Sequence, residues 1–335
     1  TKNEMEAISA NLKATMESLD SLPSQSVKNN FVRHFWIMRT GTPMSKSKLT
    51  EQINKDVSRL SDYNSMISFC TKIMLASGYY GRKAINPEKQ SYNHLNKILT
   101  KAGFKQHIPI LLALGHRNDV SNSDYERFFY FFEILFARML LIGRKRASTI
   151  EPYAAKWAKE ALDPSNSPSE LLEMWLDDAE KKIDDTDDTT LITSLKILTI
   201  ENEGKLKLIL SCYENLLSPG SFDKKIFSDS TVKGILPNVN SPNDWEQAWS
   251  KFSVDDYANK LHNQIGNYVI LESDPKHDLN TDWEVKKEFY GNSIFSSTLR
   301  VSEIDSWTRA TIKQNSKNIA SKVIQGWRYS NLRND

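Results

Sequence analysis

Three short blocks decide how the C-terminal half of this chain folds: VKGILP at residues 232–237, QIGNYVIL at 264–271 and LNTDWEVKKEFY at 279–290. The first two are brief apolar runs bounded by polar residues, which is typical of strands. The third has the spacing of a helix that starts near Thr281. The order predicts a small ββα finger at about residues 230–292, in which 234–237 pair with 268–271.

The rest of the chain has the pattern of helices. Apolar residues in 4–19 recur at spacings of three and four, which places them on one helix face. Similar patterns predict further helices at 31–38, 45–60, 62–77, 91–102, 109–114, 123–142, 152–162, 169–182 and 204–217. An apolar run lies at 191–200, and 302–327 is predicted to form a final helical stretch or pair of helices. The fold class is therefore mainly α. The polar, proline-containing stretch 163–169 predicts a helical domain at 1–165 and an α-rich domain at 166–335 that carries the finger.

Composition excludes several classes of protein. The 44 Lys and Arg against 42 Asp and Glu give a formal charge of +2, so any nucleic-acid surface must be local. Cys70 and Cys212 lack metal-site spacing and favour a reducing compartment. With a polar N-terminus this predicts a cytoplasmic protein. The apolar run 128–142 contains Glu133 and Arg138, so it predicts a buried core helix and no membrane span.

At these blocks the sequence resembles the C-terminal half of GmrSD-type restriction endonucleases, a helical middle region followed by an HNH-like domain. The domain signature is an Asp/Glu-His-Ile-x-Pro run, an Ile-Gly-Asn-Leu-x-Leu-Leu run and a Lys-Lys-x-x-Tyr helix. The matching residues are Ile235, Leu236, Pro237, Ile265, Gly266, Asn267, Leu271, Asn280, Lys286, Lys287, Tyr290 and Trp307. The stretch 31–41 looks like the family's middle region.

The resemblance implies a metal-dependent DNA endonuclease or nickase of phage defence that acts on modified DNA. It also implies a Mg²⁺ or Mn²⁺ cofactor, and as partner an N-terminal nucleotide-dependent domain or a partner subunit. A cation stabilises charge on the phosphate and a His deprotonates the attacking water. Here Lys233 and Gly234 stand where the family has its Glu-His pair, and Pro275 stands where a metal-binding Asn is expected.

The candidate catalytic positions are therefore Gly234 itself, where the His is lost, and Asn267 and Asn280 of the signature. His262 and His277 lie inside the module and either compensate for the lost base or are ordinary surface residues. Asp274 or Asp278 with Glu284 and Lys286 also mimics another nuclease motif, but that chemistry needs a strand where a helix is predicted.

Basic residues offer candidate nucleic-acid contacts at Lys286, Lys287, Arg144, Lys145 and Arg146. The last three follow an apolar helix, so they either grip phosphate or complement the helix dipole. The acidic stretch 184–188 lacks the alternation and glycine of a calcium loop, which predicts a solvated turn.

The sequence thus predicts a DNA-directed component of a restriction system with a degenerate, pseudo-enzyme HNH-like domain. The alternative is a non-catalytic helical scaffold that binds a partner subunit or domain.

Overall fold

A computed structural model describes residues 2–22, 24–80, 93–219, 230–239, 241, 249–272 and 282–333. The described residues are mainly α-helical, as the sequence predicts, with one two-stranded sheet among them. Along the chain the α-helices and strands are α1 (Lys2–Asp20), α2 (Gln25–Thr40), α3 (Lys46–Val57), α4 (Tyr63–Tyr79), α5 (Asn93–Ala102), α6 (Ile108–Leu114), α7 (Asn122–Leu135), α8 (Ala147–Ala161), α9 (Pro168–Asp178), α10 (Asp188–Ile197), α11 (Glu203–Leu217), β1 (Thr231–Gly234), α12 (Val254–Ala258), β2 (Tyr268–Leu271), α13 (Trp283–Tyr290), α14 (Ser296–Ser302), α15 (Arg309–Gly326) and α16 (Ser330–Arg333).

The chain divides into two compact units. The first, the N-terminal unit, comprises Thr1–Asn93, Lys105–Phe132 and Arg146–Ile183. The second, the C-terminal unit, comprises His94–Phe104, Glu133–Lys145 and Asp184–Asp335. The division at 165/166 that the sequence suggests stays a proposal. No helix among the described residues is long and apolar enough to cross a membrane.

The N-terminal unit is a set of helices packed on one another. Helix α1 packs on α4, and α2 packs on α6 and α8. Gly41 ends α2 in the left-handed conformation and donates its N–H to the Ile37 carbonyl, a common C-terminal cap. A ring cluster formed by Phe128, Phe131, Trp157 and Trp175 lies in the core of this unit.

The apolar run 128–142 is buried, as the sequence predicts. Phe128, Phe131, Phe132, Leu135, Met139 and Ile142 are each no more than 2% exposed. The predicted single helix is instead an α-helix up to Leu135 followed by π-helical turns at Phe136–Ile142. The π-helical hydrogen bonding is visible at the end of this segment, where the Gly143 N–H donates to the carbonyl of Arg138, five residues earlier.

Arg138 finds the partners that its burial requires. Its guanidinium donates to Asp184, to Asp188 (2.8 Å) and to the Thr186 carbonyl (2.8 Å). The interpretation of 184–188 as a merely solvated turn was therefore wrong, because its first and last carboxylates neutralise this buried cation. Asp185 also binds Lys145.

Two buried histidines of the N-terminal unit should make stability depend on pH. Burial is the main cause that lowers the pKa of His34 and of His107 to about 3, with Arg33 and Lys105 contributing at His34 and His34 at His107. The unfolded chain binds protons at both below its ordinary pKa near 6.5, whereas the folded chain does not. We therefore expect the free energy of unfolding to fall by about 1.4 kcal/mol for each His on acidification to pH 5.5. Urea unfolding at pH 7.5 and 5.5 measures this, and an unchanged loss in a His34→Gln, His107→Gln double variant would refute it.

Candidate functional site

The predicted ββα finger is present, with its first strand displaced. Strand β1 runs antiparallel to β2, with Thr231 opposite Leu271 and Gly234 opposite Tyr268. The predicted first strand, 234–237, was wrong by three residues: Gly234 ends the strand and does not begin it. Beyond Gly234 the Ile235 N–H still donates to the Asn267 backbone carbonyl (2.8 Å). The ladder stops after this bond because the Asn267 side chain bonds the Leu236 backbone and because Pro237 has no N–H to continue it.

Helix α13 completes the finger. It starts at Trp283, after Asp282 caps it by accepting from the Val285 N–H, close to the predicted start at Thr281. Trp283 and Tyr290 belong to the same buried cluster as Ile235 and Val269. The helix therefore lies on the hairpin and closes one core with it.

Asn267 braces the hairpin with its whole side-chain amide. Its Oδ1 accepts from the Leu236 N–H (2.9 Å) and from Trp307 Nε1 (3.2 Å). Its Nδ2 donates to the carbonyls of Leu236 (3.0 Å) and His262 (2.8 Å). These four bonds use the full capacity of an amide, and the residue is 0% exposed. Asn267 thus has no lone pair left for a cation.

Gly266 allows the hairpin to touch α15. A Cβ at this position would lie 2.2 Å from the Ile312 carbonyl oxygen and 2.4 Å from Ser316 N. The Gly266 N–H donates to Ser316 Oγ (3.0 Å), and Asn315 Nδ2 donates to the Gly266 carbonyl (2.8 Å). A residue without a side chain permits this close approach of two backbones.

The backbone conformation at Gly234 does not require a glycine. Its φ does not lie in the left-handed region. A Cβ there would meet the Leu236 carbonyl oxygen at 3.2 Å and Asn267 Nδ2 at 3.4 Å, so these neighbours would have to move by a few tenths of an ångström. The backbone conformation at this position is therefore open to other residues, and a side chain there requires a small shift of its neighbours.

His262, the described candidate for a compensating base, lies inside the fold. His262 is 6% exposed and its ring stacks on Tyr257. Burial, helped by Lys260 and opposed by Glu201, lowers its pKa, so the ring stays neutral and enclosed. Burial and nearby Glu201 raise the pKa of Tyr268 to about 12, which keeps its hydroxyl protonated. His277, Asn280 and Pro275 lie outside the described residues.

The described residues show no cluster of the side chains that usually hold a divalent cation. Magnesium and manganese prefer several carboxylate or other oxygen ligands. Gly234 has no side chain that could be a ligand, and the Asn267 side-chain amide is fully used in hydrogen bonds. Nowhere among the described residues do three or more His, Cys, Asp or Glu side chains cluster in a way that would hold a metal.

The predicted nucleic-acid contacts differ in exposure. Lys286 lies inside the finger, 1% exposed, where its Nζ donates to the Ile235 carbonyl (2.6 Å) and sits 5.0 Å from the centre of the Trp249 ring. Its ammonium group is thus enclosed within the finger. Lys287 is 29% exposed and 3.8 Å from Asp305.

The other three predicted contacts lie near the surface. Arg144 and Arg146 are exposed. Lys145 is half-buried and binds Asp185. Arg144 adopts a left-handed backbone conformation with φ 53°. The exposure of Arg144 and Arg146 is compatible with a phosphate contact at either residue.

The adjacent lysines of α13 provide a matched prediction. Lys286→Met should lower the free energy of unfolding by about 1–3 kcal/mol, because it leaves the buried Ile235 carbonyl without a donor. Lys287→Met should change it by no more than about 0.5 kcal/mol. Urea unfolding of both variants measures this. Equal effects would show that Lys286 is not the internal support described here.

One residue that supports the finger from outside it was missed from the sequence. Trp307 was noted only as a motif match, yet its indole N–H bonds the Asn267 amide 40 residues earlier. The inward position of Lys286 had a signal, because Trp283, Lys286 and Tyr290 share one helix face at spacings of three and four.

An antiparallel hairpin crossed by a short helix is the frame of an HNH-like nuclease finger. Residues 184–322 match the family model described as "GmrSD restriction endonucleases, C-terminal domain". This match supports membership of residues 184–322 in the C-terminal region of the GmrSD restriction endonuclease family, and it suggests a role related to a restriction-system nuclease of phage defence. The family generally uses divalent metals. A search of curated proteins gives no match.

Proposed function

We propose that this chain is a DNA-directed component of a restriction system whose HNH-like finger has kept its frame and lost its catalytic base. The observation that carries the proposal is Gly234. It ends β1 where the family's His belongs, on a backbone that does not require glycine. The frame around it is intact, because Gly266, Asn267 and Trp307 make the contacts that hold the hairpin.

The described residues hold and shape the finger but supply no proton acceptor at position 234. The family resemblance adds three further parts to this proposal. The DNA is modified, the protein is cytoplasmic, and its partner is a nucleotide-dependent domain or subunit. Lys287, Arg144 and Arg146 are the proposed phosphate contacts.

Plasmid nicking in Mg²⁺ or Mn²⁺ tests the proposal. The purified chain should nick modified or unmodified plasmid weakly or not at all, since loss of a positioned base costs about 10²–10⁴-fold. Gly234→His should raise the rate, whereas Gly234→Ala adds a Cβ without a base and should not. Robust nicking by the unaltered chain, abolished by His262→Ala or His277→Ala, would show that the site has been rebuilt.

A scaffold function is the second candidate, and one surface favours it. Val285 and Phe289 lie one turn apart on the outer face of α13, and Ile294 follows; each is more than 40% exposed. Such a patch is typical of a partner interface. DNA binding separates the two candidates. The DNA-directed function predicts duplex binding that weakens with salt and with Lys287→Met, and the scaffold function predicts none.

A further inference from the structure

The N-terminal unit contains a cavity that the proposed function does not use. Its volume is about 350 Å³, within the range of small-molecule sites. One face of α2 supplies Asn30, Arg33 and His34, the start of α3 supplies Lys46, and the turn before α6 supplies Lys105. It lies in the stretch that resembles the family's middle region.

The cavity gathers positive charge that the protein does not neutralise. Arg33, Lys46 and Lys105 line it together with a single carboxylate, Glu151. Within the described residues none of the three cations lies at ion-pair distance from an acidic side chain. Three positive charges against one negative leave an excess of two, which favours a bound anion.

Arg33 is held in position for such a ligand. Its Nε donates to the Met44 carbonyl at 2.5 Å, which fixes the side chain and leaves the two terminal nitrogens of the guanidinium for another acceptor. No hydrogen bond from those two nitrogens is present in the described part of the chain. A fixed guanidinium fork is the group that binds phosphate in two-pronged fashion.

The pKa of His34, which lines the cavity, is consistent with a positive potential there. His34 is 6% exposed and its Nδ1 lies 3.1 Å from the Tyr80 hydroxyl. Burial is the first cause of its lowered pKa, and Arg33 and Lys105 are the next two. The same positive potential that opposes a proton on His34 attracts an anion.

We propose that this cavity binds a phosphate monoester the size of a mononucleotide. A phosphate monoester carries about two negative charges at pH 7, which matches the excess of two cations. Arg33, Lys46 and Lys105 surround the phosphate. Asn30 and Glu151 meet the hydroxyl groups of the attached polar part.

Isothermal titration of the full chain at low salt tests the site. The ligands are 5′-AMP, adenosine and inorganic phosphate. We expect one 5′-AMP per chain and at least ~10-fold weaker binding of adenosine, because a hydrogen bond to a charged group contributes about 1.5–3 kcal/mol. Lys46→Gln and Lys105→Gln should each weaken 5′-AMP binding about 10-fold by the same reasoning. Both side chains are exposed, so folding should be unaffected; Lys48→Gln, outside the cavity, is the matched control.

A 5′-phosphorylated oligonucleotide that competes with 5′-AMP would support the same chemistry and identify a DNA end as its source. Any of three results would overturn the proposal. The first is equal binding of adenosine and 5′-AMP, and the second is 5′-AMP binding by the two lysine variants as tight as that of the unaltered chain. The third is binding of an unphosphorylated oligonucleotide only. The site is independent of the finger, so the nicking result does not bear on it.

Discussion

Replacing Arg138 with Met should lower the free energy of unfolding of the C-terminal unit by about 3–5 kcal/mol, the usual cost of removing one partner from a buried ion pair. Met keeps much of the side chain's packing and removes the charge. Asp184, whose side chain is 1% exposed, then remains buried and ionised without its partner. The carbonyls of Thr186 and Trp327 lose a donor as well. Urea unfolding followed by circular dichroism measures the loss.

Arg328→Met is the matched control for Arg138. Arg328 also binds Asp188, at 2.7 Å, but its side chain is 50% exposed. Its removal should cost less than about 1 kcal/mol, as for other exposed ion pairs. A double variant, Arg138→Met with Asp184→Asn, should recover part of the lost stability because it also removes the unpaired carboxylate. Equal losses for the two arginine variants would show that the buried pair does not support this unit.

Gly266→Ala should destabilise the finger by about 3 kcal/mol or more, at the upper end for overpacking, because the obstacle is backbone. The new Cβ would lie 2.2 Å from the Ile312 carbonyl oxygen, so either β2 or α15 must move. That movement also breaks the bonds of Gly266 to Ser316 and Asn315. Thermal unfolding should show a lower midpoint, and amide exchange in β1 and β2 should become faster.

Gly291→Ala provides the comparison for Gly266→Ala. It lies in the same domain, at the end of α13, and a Cβ there would meet its nearest atoms at 3.4 and 3.5 Å. This is ordinary contact, so the change should cost no more than about 0.5 kcal/mol. A Gly266→Ala protein as stable as the Gly291→Ala protein would contradict the close packing of the hairpin on α15.

The hairpin shows how far sequence reasoning reaches. The apolar blocks were sufficient to predict two antiparallel strands and a crossing helix. The start of the first strand was misplaced because the Leu236 backbone is bonded by the Asn267 side chain, 31 residues later. A contact between a side chain and a distant backbone leaves no periodic signal in the sequence.

Arg138 shows the same limit. Its place in an apolar run was enough to predict that it lies in a buried helix. The sequence did not identify its partners, because Asp184 and Asp188 lie 46 and 50 residues away in a stretch with the composition of a solvated turn. Burial of a charge can be predicted locally, whereas its neutralisation depends on tertiary structure.

Titration of Mn²⁺ into the full chain by calorimetry tests the central claim, that the finger has lost its cation and base positions. We expect no one-to-one site tighter than roughly 1 mM that responds to substitutions in the finger. One-to-one binding in the micromolar range that is lost in His277→Ala or Asn280→Ala, and retained in Asp185→Asn, would contradict the account.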